Sequence, residues 1–144
     1  MLFIDASVIV AILADDEDRD QLLDRLAQEE GPFYVSSVVR MEASFALTRR
    51  RAEAVGRDKP ATADMLQESR HVVDQFLVDL EAKEIMISGD VGSKALDAAQ
   101  QFGKIVNHPA KLNMGDCFSY ACARAYRTKV AYKGNDFSLT DIGW

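Results

Sequence analysis

The stretch LFIDASVIVAIL, residues 2–13, decides the fold, because it joins a short apolar run to an acid and then to a second apolar segment. Leu2 to Ile4 predicts a buried strand, and Asp5 follows that strand directly. Ser7 then opens a segment, Val8 to Leu13, that is typical of a short helix. A strand followed at once by a helix is the basic unit of an α/β protein with parallel strands.

The same alternation of strand and helix continues to the end of the chain. Strand-like apolar runs and helical periodicities follow one another, separated by turn residues such as Gly and Pro. Because the strand runs are apolar on both faces, we expect a three-layer α/β/α sandwich around a central, mainly parallel sheet of four to five strands. Further strands are predicted at 33–35, 85–87 and 130–132, and further helices at 17–30, 37–55, 64–80, 91–102 and 116–126.

The length and the first apolar segment indicate a single domain in the cytoplasm. The chain has 144 residues, which fits one compact domain covering residues 1–144. The apolar segment 2–13 is shorter than the roughly 20 residues that span a bilayer. No basic residue precedes it, Asp5 interrupts it, and the acidic run 15–18 follows it. We therefore expect no membrane association. Cys117 and Cys122 lie about 140° apart on one predicted helix, so we expect reduced, buried thiols.

The net charge of −6 is unfavourable for a nucleic-acid partner, because a polyphosphate is normally bound by clustered Lys and Arg. If RNA binds, local cations and a metal ion must attract it. Each basic residue taken alone is more typical of a solvated surface than of a binding site. The candidate local cations are Arg49, Arg50, Arg51, Lys104, Lys111 and Lys133.

Four acids are predicted at one edge of this sheet. In an open parallel sheet the ligand crevice lies beyond the carboxyl ends of the strands, where the strand order reverses. Asp5 follows the first strand, and Asp136 follows the last strand across a Gly-Asn turn. Asp116 lies at a helix N-terminus, and Glu42 lies in the early turns of another helix. These side chains are therefore predicted to converge on one crevice.

Converging carboxylates predict a divalent cation. Acids within a few ångströms of one another repel, and some would bind a proton unless a cation neutralised them. A set of oxygen ligands without His or Cys favours Mg²⁺ or Mn²⁺ over Zn²⁺, and His71 and His108 are isolated in the sequence. Such ions can activate water for attack on a phosphodiester. The pattern therefore indicates metal-dependent phosphodiester hydrolysis.

Each acid also has an ordinary structural interpretation. Asp5 and Asp116 are both placed where an acid caps a helix, and Asp136 lies in a Gly-Asn-Asp turn. Glu42 is harder to explain structurally, because its neighbours are apolar and an unpaired buried acid is costly. The four acids together are stronger evidence than any one of them.

Three hydroxyl groups are candidates for supporting roles. Ser7 lies two residues after Asp5, so it can cap the following helix or hold the Asp5 carboxylate. Thr140 follows Asp136 by four residues and is predicted to support the site indirectly. Tyr120 lies one turn beyond Asp116, although an aromatic residue in that helix is more often part of the core.

These motifs resemble the PIN-domain toxins of VapC type, from bacterial type II toxin–antitoxin modules. The resemblance extends from Asp5 to Ile142, and its two C-terminal stretches are the most specific. The motifs are Asp5-Ala6-Ser7, Met41-Glu42, Leu112-Asn113-Met114-Gly115-Asp116-Cys117-Phe118-Ser119-Tyr120-Ala121, Tyr132-Lys133-Gly134-Asn135-Asp136-Phe137 and Thr140-Asp141-Ile142.

The resemblance implies a ribonuclease that cleaves RNA with Mg²⁺ or Mn²⁺, is inhibited by a cognate VapB-type antitoxin and forms a homodimer. It implies that the catalytic residues are the four acids already named, with Asp5 and Asp116 as metal ligands and Ser7 as a supporting hydroxyl. Asn135 stands where many relatives carry a further acid, so either Asn135 or Asp136 can face the metal. The family pattern favours Asp136, with Asn135 beside it.

Two other classes of protein also place an acid after the first strand. A phosphatase of the haloacid-dehalogenase type needs a second Asp two residues after the first, and Ser7 stands there. A receiver-type signalling domain needs paired acids near its first strand and a Lys after a late strand. Lys133 fits loosely, but Asp5 has no adjacent acid. A metal-dependent ribonuclease is therefore the leading hypothesis.

Overall fold

A parallel sheet of four strands forms the centre of the protein, whose structure is a computed structural model describing residues 1–144. The predicted parallel α/β architecture is confirmed, with four strands. All strand pairs are parallel, and the spatial order is β3-β2-β1-β4. The strands are β1 (Leu2–Ile4), β2 (Phe33–Ser36), β3 (Lys83–Ile85) and β4 (Lys129–Ala131).

The strand order reverses beside β1. The chain runs from β1 outward to β2 and β3, and it then returns to the opposite side of β1 as β4. In register, Leu2 of β1 pairs with Phe33 on one side and with Lys129 on the other. A crevice therefore opens at the carboxyl ends of β1 and β4, where ligands bind in open α/β sheets.

Helices cover both faces of the sheet. Successive side chains of a strand point to opposite faces, and all three side chains of β1 are buried. Along the chain, α5 packs on α6 and α3 packs on α4. No helix is both long and apolar enough to cross a membrane. The helices are α1 (Ala6–Leu13), α2 (Arg19–Ala27), α3 (Ser37–Val55), α4 (Ala63–Asp79), α5 (Gly89–Phe102), α6 (Met114–Ala125) and a 3₁₀ helix (Lys104–Val106).

Several boundaries differ from those predicted, and two of them affect the acidic site. Helix α1 begins at Ala6 with Asp5 as its N-cap, so the expectation that Ser7 caps this helix is wrong. Helix α6 begins two residues early, because Asn113 rather than Asp116 is its N-cap. Strand β3 covers 83–85 instead of 85–87, because Lys83 pairs with Tyr34 of β2.

Candidate active site

The predicted acids meet in a cavity of about 450 Å³ at the crevice between β1 and β4. Helices α1, α3 and α6 and the loop after β4 all contribute to its wall. The four predicted acids are among its lining residues, and Ser7 and Asn113 lie with them. The four predicted acids in the wall are Asp5, Glu42, Asp116 and Asp136, and a fifth acid, Asp16, also lines the cavity.

Asp5 is held through both carboxylate oxygens. Its Oδ2 accepts hydrogen bonds from the Ser7 amide at 3.0 Å and from the Ser7 hydroxyl at 2.7 Å. Its Oδ1 accepts a hydrogen bond of 2.8 Å from the hydroxyl of Ser119. Asp5 is only 6% exposed, so these contacts fix its orientation in the cavity wall. Asp5 is thus both a helix cap and a cavity residue.

Ser119 is the contact that sequence reasoning missed. It lies on α6, three residues after Asp116, and side chains at this spacing share one side of a helix. This spacing from Asp116 could have predicted Ser119, because a polar residue one turn from a candidate acid faces the same cavity. Its burial at 2% exposure explains why its hydroxyl needs a partner.

Asp116 uses one oxygen to cap its own helix. Its Oδ2 accepts a hydrogen bond of 3.0 Å from the Asn113 amide, while its own amide donates to Asn113 Oδ1 at 2.9 Å. Burial raises the pKa of Asp116 to about 7, the Asn113 amide opposes this rise, and the charges of Asp5, Asp136 and Glu42 add to it. Asp116 is therefore not the N-cap itself but the N3 partner of Asn113 in a capping box, and it also lines the cavity.

Glu42 lies against the backbone of Gly115. A Cβ atom added to Gly115 would stand 1.6 Å from Glu42 Oε1, so only glycine leaves room for this carboxylate. Burial raises the pKa of Glu42 to about 7, Asp5 adds to the rise, and Arg49 opposes it. The glycine before Asp116 therefore lets α6 approach the acid on α3.

Asp136 lines the cavity from the loop after β4, whereas its neighbour Asn135 does not, although both residues are exposed. Burial raises the pKa of Asp136, and the charge of Asp5 adds to the rise. Lys133 anchors this loop, because its amide donates to Ser7 Oγ at 3.0 Å and its ammonium donates to Asp16 Oδ2 at 2.8 Å. Of the two neighbouring residues, only Asp136 lies in the cavity wall.

Two predicted supporting residues lie outside the cavity wall. The hydroxyl of Thr140 donates to the Phe137 carbonyl at 2.7 Å, so the predicted supporting role for Thr140 is not seen. Tyr120 is buried and donates to Asp141 Oδ1 at 2.8 Å. The Thr140 hydroxyl therefore closes a local turn, and the Tyr120 hydroxyl links α6 to the C-terminal segment.

Three of the six candidate cations line the cavity. Two of these are paired with Asp16, Arg50 at 2.6 Å and Lys133 at 2.8 Å. Arg49 makes no salt bridge, although it lines the same wall. Arg51 instead binds Glu68 at 2.8 Å on the outer side of α3. The cavity wall therefore carries three cations beside the acids, although the net charge of the chain is −6.

The donor set fits a hard divalent cation. The acids of the cavity supply only oxygen ligands. Burial, and then the charges of neighbouring acids, raise the pKa values of Glu42, Asp116 and Asp136. No three His, Cys, Asp or Glu side chains are grouped tightly enough to hold an ion by themselves. Oxygen ligands without a nearby His or Cys are the donor set of a hard divalent cation.

The sequence matches one protein family, and its relatives align over nearly the whole chain. The family model described as the PIN domain matches residues 2–143. A VapC ribonuclease of Rhizobium meliloti is 46% identical over 143 residues, covering 99% of this chain and 100% of that protein. Ribonuclease VapC28 of Mycobacterium tuberculosis is 31% identical over 141 residues, covering 98% of this chain and 95% of that protein.

Comparison with solved structures gives the same fold. Mycobacterium tuberculosis VapC20, described as a toxin that cleaves the sarcin-ricin loop, superposes with a TM-score of 0.72 at 16% identity. The match covers 99% of this chain and 96% of that chain. A toxin–antitoxin complex from Klebsiella pneumoniae gives a TM-score of 0.64 at 14% identity, covering 100% of this chain and 96% of that chain. At these identities the likeness concerns the fold alone.

Proposed function

The chain belongs to the PIN-domain family of VapC-type ribonuclease toxins, and we propose that it hydrolyses RNA in the acidic cavity with Mg²⁺ or Mn²⁺. The observation that carries this proposal is that the four predicted carboxylates lie in the wall of one cavity beside the strand-order reversal, and none of them forms a salt bridge. Those catalytic acids are Asp5, Glu42, Asp116 and Asp136. Membership of this family leaves the phosphatase and receiver interpretations without support.

In this proposal Asp5 and Asp116 are the metal ligands. Asp5 is oriented by Ser7 and Ser119. Its Oδ2 accepts two hydrogen bonds from Ser7, whereas its Oδ1 accepts one from Ser119 and keeps a lone pair free for a cation. Asp116 gives one oxygen to the Asn113 amide and keeps Oδ1 for the cavity. A bound divalent ion supplies activation of water and stabilisation of charge on the phosphate oxygens.

Glu42 and Asp136 complete the negative wall around this pair. The raised pKa of about 7 means that Glu42 is half protonated near neutral pH without a cation, so a cation would displace its proton. Asp136 lies on a loop that Lys133 ties to Asp16 and to Ser7, which supports a fixed position for its carboxylate. Both acids therefore strengthen the attraction of the cavity for a cation.

Purified protein and a panel of RNAs test this function directly. We expect cleavage in Mg²⁺ or Mn²⁺ buffer, its loss on adding EDTA, and a loss of at least about 100-fold in Asp116→Asn. The matched control is Asp97→Asn, because Asp97 is an exposed acid of α5 that makes no salt bridge. An Asp116→Asn protein that cuts RNA as fast as the parent would contradict the assignment.

We further propose that the protein is a cytoplasmic toxin inhibited by a VapB-type antitoxin. The family supports an antitoxin partner, and one structural neighbour is described as a toxin–antitoxin complex. Expression of the chain should arrest bacterial growth, and co-expression of the small protein encoded by the adjacent gene should restore it. Normal growth during expression of the active parent would count against a toxin.

A homodimer is also proposed, formed through an apolar face of α5, α6 and the 3₁₀ helix. This face has a cavity of about 830 Å³ and exposes three large side chains. Leu96 is 70% exposed, Ile105 is 88% exposed and Met114 is 77% exposed. An apolar patch of this kind on a monomer indicates an interaction site. We propose a second copy of the chain as the partner that covers this face, because the family resemblance implies a homodimer.

A further inference from the structure

Helix α3 carries three residues of different chemistry along one side. Glu42, Phe45 and Arg49 follow one another at spacings of three and four residues, which brings them to one side of a helix. All three line the acidic cavity. The carboxylate site therefore continues along α3 into an aromatic ring and then a guanidinium group.

Phe45 lies where the acidic cavity opens toward α4. Phe45 is 43% exposed, although it lines a charged cavity. Besides that cavity, Phe45 lines a groove of about 600 Å³ with Met41 and Leu66, and a smaller one of about 320 Å³ with Thr62. Phe45 is therefore accessible to a ligand that extends from the acidic cavity into either groove.

Arg49 is the cation of this cavity that no carboxylate engages. Arg50 and Lys133 are both held by Asp16, which occupies the donors that would otherwise reach a ligand. Arg49 makes no salt bridge. It is close enough to the acids for its positive charge to lower the pKa of Glu42. In a chain of net charge −6, a cation left free beside the acids is a candidate for binding phosphate.

We propose that Phe45 and Arg49 form a binding subsite for single-stranded RNA, with a base stacked on the Phe45 ring and a backbone phosphate bound by Arg49. This inference rests on the proposed ribonuclease function and names residues that position its substrate. Aromatic rings stack on unpaired bases of any sequence, and arginine binds phosphate through two parallel hydrogen bonds. RNA is favoured over a protein partner because the ring and the free cation share a cavity with the acids that act on the phosphodiester.

RNA binding should be measured in EDTA, where the parent does not cleave, by fluorescence anisotropy of a labelled single-stranded oligonucleotide. We expect Phe45→Leu to weaken binding by about five- to hundredfold and Phe45→Trp to bind at least as well as the parent. Arg49→Gln should weaken binding and reduce the slope of log K against log salt by about 0.7. The control is Arg51→Gln, since Arg51 binds Glu68 outside the cavity. Its salt slope should equal that of the parent.

Stacking has a direct signal that a folding defect would not produce. An oligonucleotide containing 2-aminopurine should lose fluorescence on binding to the parent and to Phe45→Trp, but less on binding to Phe45→Leu at saturation. Equal affinities of the parent and Phe45→Leu, or an unchanged salt slope in Arg49→Gln, would overturn the subsite. A loss of antitoxin binding without a loss of RNA binding would assign this surface to the protein partner.

The ribonuclease assignment is tested separately by cleavage of RNA by the parent in Mg²⁺. A parent that cleaves RNA, with Phe45 and Arg49 variants that bind and cleave equally well, refutes the subsite and leaves the assignment intact. A parent that does not cleave any RNA refutes the assignment itself. If Phe45→Leu is unfolded by circular dichroism, the salt slope of Arg49→Gln still decides the proposal.

Discussion

The hydroxyl of Ser119 donates a hydrogen bond of 2.8 Å to Oδ1 of Asp5, joining residues that are 114 positions apart in the chain. It links α6 to the end of β1, and both side chains are almost completely buried. Because Ser7 occupies the other oxygen of Asp5, the carboxylate is held from two sides. Ser119 is therefore a positioning residue for the carboxylate proposed to bind the metal.

Replacing Ser119 should weaken metal binding, with only a small loss of folding stability. In Ser119→Ala one oxygen of Asp5 loses its partner, so we expect the Mn²⁺ dissociation constant from calorimetry to rise about three- to tenfold. The free energy of unfolding should fall by about 1 kcal/mol. The control is Ser44→Ala, which removes a buried helix hydroxyl that is bonded to the Arg40 carbonyl at 2.7 Å. Equal metal affinity in both variants would refute the positioning role.

Gly115→Ala should disable the site with little effect on the fold. The new Cβ would stand 1.6 Å from Glu42 Oε1, and the flexible Glu42 side chain must move away. We expect RNA cleavage to fall at least about tenfold, with a melting temperature near that of the parent. The matched control is Gly92→Ala in α5, where nothing lies within 4 Å of the added atom and alanine favours the helix. Full activity in Gly115→Ala would show that the position of Glu42 is not needed.

The metal-free protein should be less stable at pH 8 than at pH 5 because of two acids. Glu42 and Asp116 have folded pKa values of about 7, above unfolded values of about 4. Their protonated forms are favoured on folding, so the associated stability is present below pH 4 and is lost as the pH rises through 7. Thermal unfolding of the parent in EDTA at several pH values measures this loss.

The double variant Glu42→Gln/Asp116→Asn is the control for this pH dependence. It lacks both titrating groups, so its melting temperature should fall less between pH 5 and pH 8. Mg²⁺ should stabilise the parent more at pH 8 than at pH 5, because fewer protons compete for the carboxylates. Identical pH profiles of the parent and the double variant would contradict the raised pKa values.

Charge on the apolar face should separate the proposed dimer. Ile105→Glu or Leu96→Glu would place a carboxylate in the interface, and we expect the mass measured by light scattering to fall from two chains to one. The control is Val78→Glu, because Val78 is 69% exposed on α4, away from this face. A parent that is monomeric at micromolar concentration would refute the dimer.

The sequence alone predicts the parallel sheet and the edge at which the acids meet. The apolar run ending at Asp5, and the turn that carries Asp136 after β4, place both acids at the carboxyl ends of neighbouring strands. This holds because strand periodicity is a local property and parallel strands share one carboxyl edge. Predictions at element ends are less accurate, and α6 begins at Met114 because the Asn113 side chain accepts a hydrogen bond from the free amide of Asp116.

Only the tertiary structure decided which side chains support the acids and which cations stay free. Ser119 reaches Asp5 across the sheet edge, and the approach of Gly115 to Glu42 depends on how closely α3 and α6 pack. Arg49 and Arg50 are neighbours in the sequence, yet only Arg50 is engaged, because Asp16 lies on its side of the helix. These contacts join residues that are distant in the chain, so their partners are set by packing and not by local pattern.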